Sequence, residues 1–240
     1  MYSIDTHIHL QDFNGDFAPK LLGDENTLGL IVVSAKSDDF ENVAKWIDKG
    51  ESKVIGAFGL HPWYIGDDFE FDRLEEFLVK YPKSLVGEIG LDGIRQNVSF
   101  SQRMFFREQL FIAKKYDRPV VVHGAKAFEA LKEYKKELKE VKFVYHGFTK
   151  NREIIKFVND VDGYFGLGRM FLKQKDARDM LSDMPINRIL FETDAPFQIK
   201  EENYFLDRES CLENLIKLVD NYSGCLGEQL IKNTLEFVKC

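Results

Sequence analysis

Eight short apolar runs, each followed by a longer amphipathic segment, are the feature of this 240-residue chain that most limits its fold. The runs are Ser3–His9, Leu28–Ser34, Val54–Gly59, Ser84–Glu88, Pro119–His123, Lys142–His146, Gly163–Gly168 and Arg188–Thr193. Leu30-Ile-Val-Val33 and Val120-Val-Val122 are continuous rather than alternating, as expected of parallel strands buried on both faces. Between the runs the spacing predicts helices over Asp38–Lys49, Phe71–Lys80, Ala127–Lys139, Arg152–Asn159, Phe171–Leu181, Arg208–Asp220 and Glu228–Val238. A further helix runs to Lys115 behind the capping box Ser99-Phe-Ser-Gln102. The first connection, Leu10 to Thr27, is long and polar, so its helix is expected to be short or irregular. Strict alternation with right-handed crossovers leads to an α/β chain closed as a (β/α)8 barrel of TIM type. An open doubly wound sheet is the competing topology, but no GxGxxG follows the first strand. Without repeats, low-complexity tracts or a linker, residues 1–240 are expected to form one barrel domain.

Composition narrows the setting. Hydrophobic residues make up 44% of the chain, enough for one large core, yet no stretch reaches the roughly 20 apolar residues of a membrane span. The strand pattern begins at Tyr2 with no basic-then-apolar leader, so nothing is expected to precede the fold. Cys211, Cys225 and Cys240 are odd in number and lack CxxC spacing, which predicts free thiols and a cytoplasmic location. The formal net charge of -7 argues against a protein that coats DNA by bulk phosphate neutralisation. A nuclease stays compatible, because bound metal can supply the local positive charge.

The chain has five histidines, and each falls at or just beyond the C-terminal end of a predicted strand, where barrel enzymes build their active sites. His7 and His9 are two apart, so both leave the same face of a strand. An isolated HxH is more often two polar positions of a half-buried strand. Glu88 ends the fourth run, His123 the fifth, His146 the sixth and Asp194 the eighth. Singly, each has an ordinary structural explanation: a solvated carboxylate or a hydrogen-bonded core imidazole. Gathered in one barrel mouth, four histidines and two carboxylates would be a costly polar cluster without a cation. A donor set of N and O without thiolate suits Zn, Mn, Mg, Fe or Co. Six ligands exceed the need of one tetrahedral ion and favour two divalent ions around a bridging carboxylate.

With these residues in hand, the chain resembles the TatD-type deoxyribonuclease family within the amidohydrolase-like metal barrels. The motifs are Asp5-Thr-His-Ile-His9, Gly59-Leu-His-Pro62, Gly87-Glu-Ile-Gly-Leu-Asp92, His146-Gly-Phe-Thr149 and Glu192-Thr-Asp-Ala-Pro196. A helix-to-strand pattern from Gln102 and Gln109 to Arg118-Pro-Val120 and His123 joins them. The resemblance implies that His7, His9, Glu88 and Asp194 hold one metal, and that Glu88 bridges to a second held by His123 and His146. It also implies hydrolysis of phosphodiester bonds in DNA by a water activated between two metals (Mg, Mn or Zn), with Asp194 and Glu88 as catalytic residues. The chain departs from the family at Ala125, where many relatives have Arg, at Gly147 and Lys150, and in the proline-free stretch after Pro196. Lys126 can offer phosphate only a point charge in place of the Arg fork. These changes leave the substrate open.

His61, Asp92 and Lys126 are candidate substrate-binding residues, His61 as a phosphate contact or leaving-group acid. Asp92 and Glu192 are also candidates to orient ligands, Glu192 being the more structural of the two. Trp63 and Tyr64 are either stacking residues or a plain hydrophobic rim. Lys132, Lys135, Lys136 and Lys139 alternate with Glu133, Glu137 and Glu140, an ordinary solvated helix face rather than a nucleic-acid patch. A nuclease acting on DNA is therefore expected, without membrane contact. The alternatives are a hydrolase of amide, lactone or aminoacyl-tRNA ester on the same centre, and a non-catalytic barrel.

Overall fold

The computed structural model describes residues 1–66, 69–95, 97–219 and 226–239. Its eight strands are β1 (Ser3–Ile8), β2 (Thr27–Val33), β3 (Val54–Phe58), β4 (Leu85–Asp92), β5 (Val120–Ala125), β6 (Phe143–Tyr145), β7 (Tyr164–Leu167) and β8 (Ile189–Phe191). Each pairs in parallel with the next in sequence. A parallel bridge between Ile8 and Ala195 brings the last strand back to the first and closes the (β/α)8 barrel. The helices are α1 (Phe17–Gly23), α2 (Phe40–Lys49), α3 (Phe71–Lys80), α4 (Phe100–Lys115), α5 (Phe128–Leu131), α6 (Lys135–Leu138), α7 (Arg152–Asp160), α8 (Arg169–Leu172), α9 (Ala177–Leu181), α10 (Tyr204–Leu218) and α11 (Leu226–Phe237).

Two apolar shells follow from the period-two alternation of the strands. Leu30, Val32, Val86, Ile89, Val120 and Val122 point outward and pack under the helices. Ile31, Val33, Ala57, Leu85, Val121, Val144 and Leu190 point inward as a dry layer, with Phe237 of α11 packed against it. Two residues after Val121, Val144 and Leu190 come His123, His146 and Glu192. The inward face thus changes from apolar to polar in a single step up the barrel.

β4 breaks this regularity. Val86 and Ile89 both pack outward although they are three positions apart, and the pairing with β5 shifts register between them. The phase slip is that of a bulge, and it puts Glu88 on the inward face. Strict alternation continued from Leu85 would have turned Glu88 toward the helices.

Three helical expectations are corrected. The segment 127–139 is broken by a 3-10 turn at Lys132–Tyr134, which delivers the buried Tyr134 hydroxyl to the Arg103 carbonyl of α4 at 2.9 Å. The segment 171–181 splits into α8 and α9 around an exposed polar run. The capping box at Ser99 is half formed: Ser99 Oγ accepts from the Gln102 N–H, but the Gln102 amide pairs with the backbone N and O of Asp92 instead. Gln109 does the same to Leu60, at 2.7 and 3.2 Å. Through two glutamines, α4 pins the ends of β3 and β4. Cys211 is buried and unpaired, while Cys225, Cys240 and the end of the helix expected to reach Asp220 lie outside the described residues. No helix among the described residues is long and apolar enough to cross a membrane.

Candidate metal centre

All five histidines converge at the C-terminal mouth of the barrel around Glu88. β1 sends His7 inward, and the chain just beyond it carries His9. Their Nε2 atoms stand 3.1 Å apart. Asp194 reaches the same point because its backbone turns left-handed (φ 49°) beyond β8 while its N–H bonds the His7 carbonyl at 2.9 Å. An Asp tolerates that conformation better than most residues.

The two oxygens of Glu88 serve different neighbours. Oε2 lies 3.4 Å from His7 Nε2 and 3.8 Å from His9 Nε2, and Asp194 Oδ1 lies 3.8 and 3.7 Å from the same two nitrogens. Oε1 lies 2.9 Å from His123 Nδ1, 3.4 Å from His146 Nε2 and 3.7 Å from His61 Nε2. Groups able to hold an ion are His7–His9–Glu88, His7–His146–Asp194 and His61–Glu88–His123. The donors fit a cation. Two ring nitrogens 3.1 Å apart cannot both donate, whereas ligands at ~2.1 Å from one ion stand roughly 3.0–3.4 Å apart. His7 Nδ1 is buried without a hydrogen-bond partner, as expected of a ring set by something other than protein hydrogen bonds.

Each remaining ring nitrogen is used differently. His123 Nε2 lies 2.8 Å from Asp92 Oδ2, and His146 Nδ1 lies 3.2 Å from Glu192 Oε1, close enough for an ion pair but off a good hydrogen-bond line. Both are the carboxylate–histidine arrangement that fixes a ligand's tautomer. His9 Nδ1 meets Gln11 at 3.3 Å. His61 Nδ1 accepts the Trp63 N–H at 3.1 Å, so in the neutral ring Nε2 carries the proton. In that neutral tautomer the inward nitrogen of His61 is a donor rather than a metal ligand.

Burial, with His7 next in size, drives His9 down to about 3, and burial takes His61 to about 3 as well; both rings are neutral at pH 7. Burial also opposes charge on His146, but Glu192 and Glu88 outweigh it and push it up to about 10 without a cation present. Burial would raise Glu88, yet His61, His146 and His7 hold it well below the usual range. Burial lifts Asp194, assisted by Glu88 and Glu192 and opposed by His146 and His7. Asp5 lies beneath the centre, bonded to Thr193, Tyr204 and the His7 N–H; burial still raises it to about 6.

The structure brings His7, His9, Glu88, His123, His146 and Asp194 together, with His61 beside them. Asp92 is fully buried and faces His123 rather than open solvent. Lys126 lines a cleft of about 940 Å³ that runs from His123, His146 and Asp194 past Lys150 to Asn151. Gln198, which donates to Asp194 Oδ2 at 2.8 Å, was not singled out by the sequence. Its position four residues after Asp194 in a non-repetitive loop offers no periodic signal.

A (β/α)8 barrel with this histidine–carboxylate mouth defines a metal-dependent hydrolase. The sequence matches the family described as TatD related DNase over residues 4–236, and the chain belongs to that family. It is 30% identical over 206 residues to the uncharacterized metal-dependent hydrolase YjjV of Escherichia coli, covering 80% of this chain and 79% of that one. A metal-dependent hydrolase of Haemophilus influenzae is 28% identical over 214 residues, 82% of each chain. The human 3'-5' RNA nuclease TATDN2 is 31% identical over 171 residues, 66% of this chain but 21% of that protein. The crystal structure of YjjV superposes with a TM-score of 0.82 over 98% of this chain and 97% of its own at 24% identity, a likeness of fold.

Proposed function

We propose that this enzyme cleaves phosphodiester bonds in DNA with two divalent ions (Mg, Mn or Zn) seated on either side of Glu88. The observation that carries it is the division of the Glu88 carboxylate, Oε2 toward His7 and His9 and Oε1 toward His123 and His146. Asp194 completes the first group. When bound, such a pair of ions acidifies a water and neutralises the phosphate oxygens and the departing alkoxide. Asp194 lies at the edge of the group, its Oδ1 3.8 and 3.7 Å from His7 and His9 Nε2, placed to take up a proton from a water held there. The His61 Nε2–H points at the same space and donates to a phosphate oxygen. Lys126 and Lys150 supply point charges along the cleft, offsetting the acidic surface where the polynucleotide lies. The nuclease activity named for the human relative supports a nucleic-acid substrate.

The test is elemental analysis of protein purified without chelator, together with cleavage of 3′-labelled single-stranded DNA in Mg or Mn. About two metals per chain are expected. His123→Ala and Asp194→Asn are each expected to lower cleavage by ~10²–10⁴. Two metals without DNA cleavage would transfer the chemistry to carbonyl substrates, to be sought among esters, lactones and amides. Protein without metal would overturn the proposal.

A further inference from the structure

We infer that Arg95 and Trp63 form a second anion subsite beside the metal centre, which takes a non-scissile phosphate of the substrate; this rests on the phosphodiesterase proposal above. A pocket of about 230 Å³ opens at the centre, with Arg95, Trp63, Tyr64 and Phe197 at its rim and His61 and Glu88 in its wall; Lys126 is not among the residues that line it. The Arg95 guanidinium lies 3.6 Å from the centroid of the Trp63 ring, a stacked arrangement that leaves its N–H edge free. Arg95 is exposed, and among the described residues no carboxylate pairs with it. In a chain with net charge -7, most other arginines in the structure have an acidic partner, whereas Arg95 has none among the described residues.

Its position is also tied to the chemistry. Asp92 Oδ1 accepts the backbone N–H groups of Ile94 and Arg95 at 2.8 and 3.2 Å, while Asp92 Oδ2 holds His123. One carboxylate therefore sets both a centre histidine and the loop that carries Arg95. On the other side, the Trp63 N–H sets the tautomer of His61. An anion bound by Arg95 would occupy a preorganised place, with the side-chain entropy already reduced by the indole.

The experiment compares thymidine dinucleotides with no terminal phosphate, with a 5′-phosphate and with a 3′-phosphate. One terminal phosphate is expected to raise kcat/KM by ~10–100-fold in the wild-type enzyme, mainly through KM. Arg95→Ala should bring that ratio close to one. Arg95→Lys should recover little of it, because an ammonium neither stacks nor binds bidentately. Binding is read separately by the fluorescence response of the metal-loaded protein to thymidine 5′-monophosphate in a Trp46→Phe background, which leaves Trp63 as the only one of the two tryptophans. The response should vanish in Arg95→Ala. Turnover with equal preference for all three dinucleotides overturns the subsite and leaves the nuclease proposal standing. No turnover with an Arg95-dependent fluorescence response does the reverse. A fluorescence response unchanged by Arg95→Ala also overturns the subsite.

Discussion

At the residue scale, the centre depends on groups that never need touch the substrate. Glu192 lies buried beside His146, and a partner of this type tunes ligand basicity and orientation. Glu192→Gln is expected to weaken metal binding by ~10–100-fold while the barrel stays folded, measured by competition with a fluorescent chelator. Away from the centre, Arg208 is buried, donates to Asp24 Oδ2 at 2.9 Å and also bonds Thr27. Burial would raise Asp24, but hydrogen bonds from Thr27 and Arg208 prevail and lower it. A carboxyl depressed in the folded state contributes stability that is present above its unfolded value, ~3.9, and disappears as pH falls through the folded one. Arg208→Leu should cost about 2–3 kcal/mol near neutral pH and flatten the acid limb of the stability curve below about pH 4, read by urea melts across pH. The metal-centre histidines were legible because their strand positions place them; Arg95 was not, because a stack between two loops leaves no spacing to detect.

At the element scale, the strands were legible to within a few residues and the helix interruptions were not. Binary pattern marks which residues are buried but not where a tertiary partner bends the helix, as Tyr134 does toward α4. The β4 slip is of the same kind: Glu88 was identified by its place at a strand end, while its inward direction comes from the bulge against β5. Close packing between elements gives a direct test. A Cβ at Gly166 of β7 would clash with Glu192 Oε2, so β7 makes room for the carboxylate just beyond β8. Gly166→Ala is expected to cost ~1–3 kcal/mol by overpacking, seen in urea melts, and to loosen metal binding in the same chelator assay as Glu192→Gln. Gln109→Leu should leave the Leu60 backbone groups unpaired and lower stability by ~1–3 kcal/mol, checked by thermal melting.

At the scale of the whole molecule, one end of the barrel is a dry apolar layer and the other a nearly dry polar cluster, with His7, His9, Glu88 and Glu192 at most 4% exposed. Such a cluster is costly to bury without a cation. Saturating metal at ~1,000 times its dissociation constant should add about 4 kcal/mol. At ~2–4 °C per kcal/mol for a chain this long, melting should rise by roughly 10 °C, and a chelator should reverse it. An unchanged melting temperature would show that the cluster is stable empty. Eight apolar runs in alternation with amphipathic segments were enough to specify the barrel, and places at strand ends were enough to pick out the candidate metal donors, because both signals are periodic and local. Tertiary structure alone decided the phase of Glu88, the donor role of His61, the pinning of two strand ends by α4 and the stack of Arg95 on Trp63. Each of these is a contact between elements distant in sequence, set by packing and hydrogen-bond completion that no local pattern encodes.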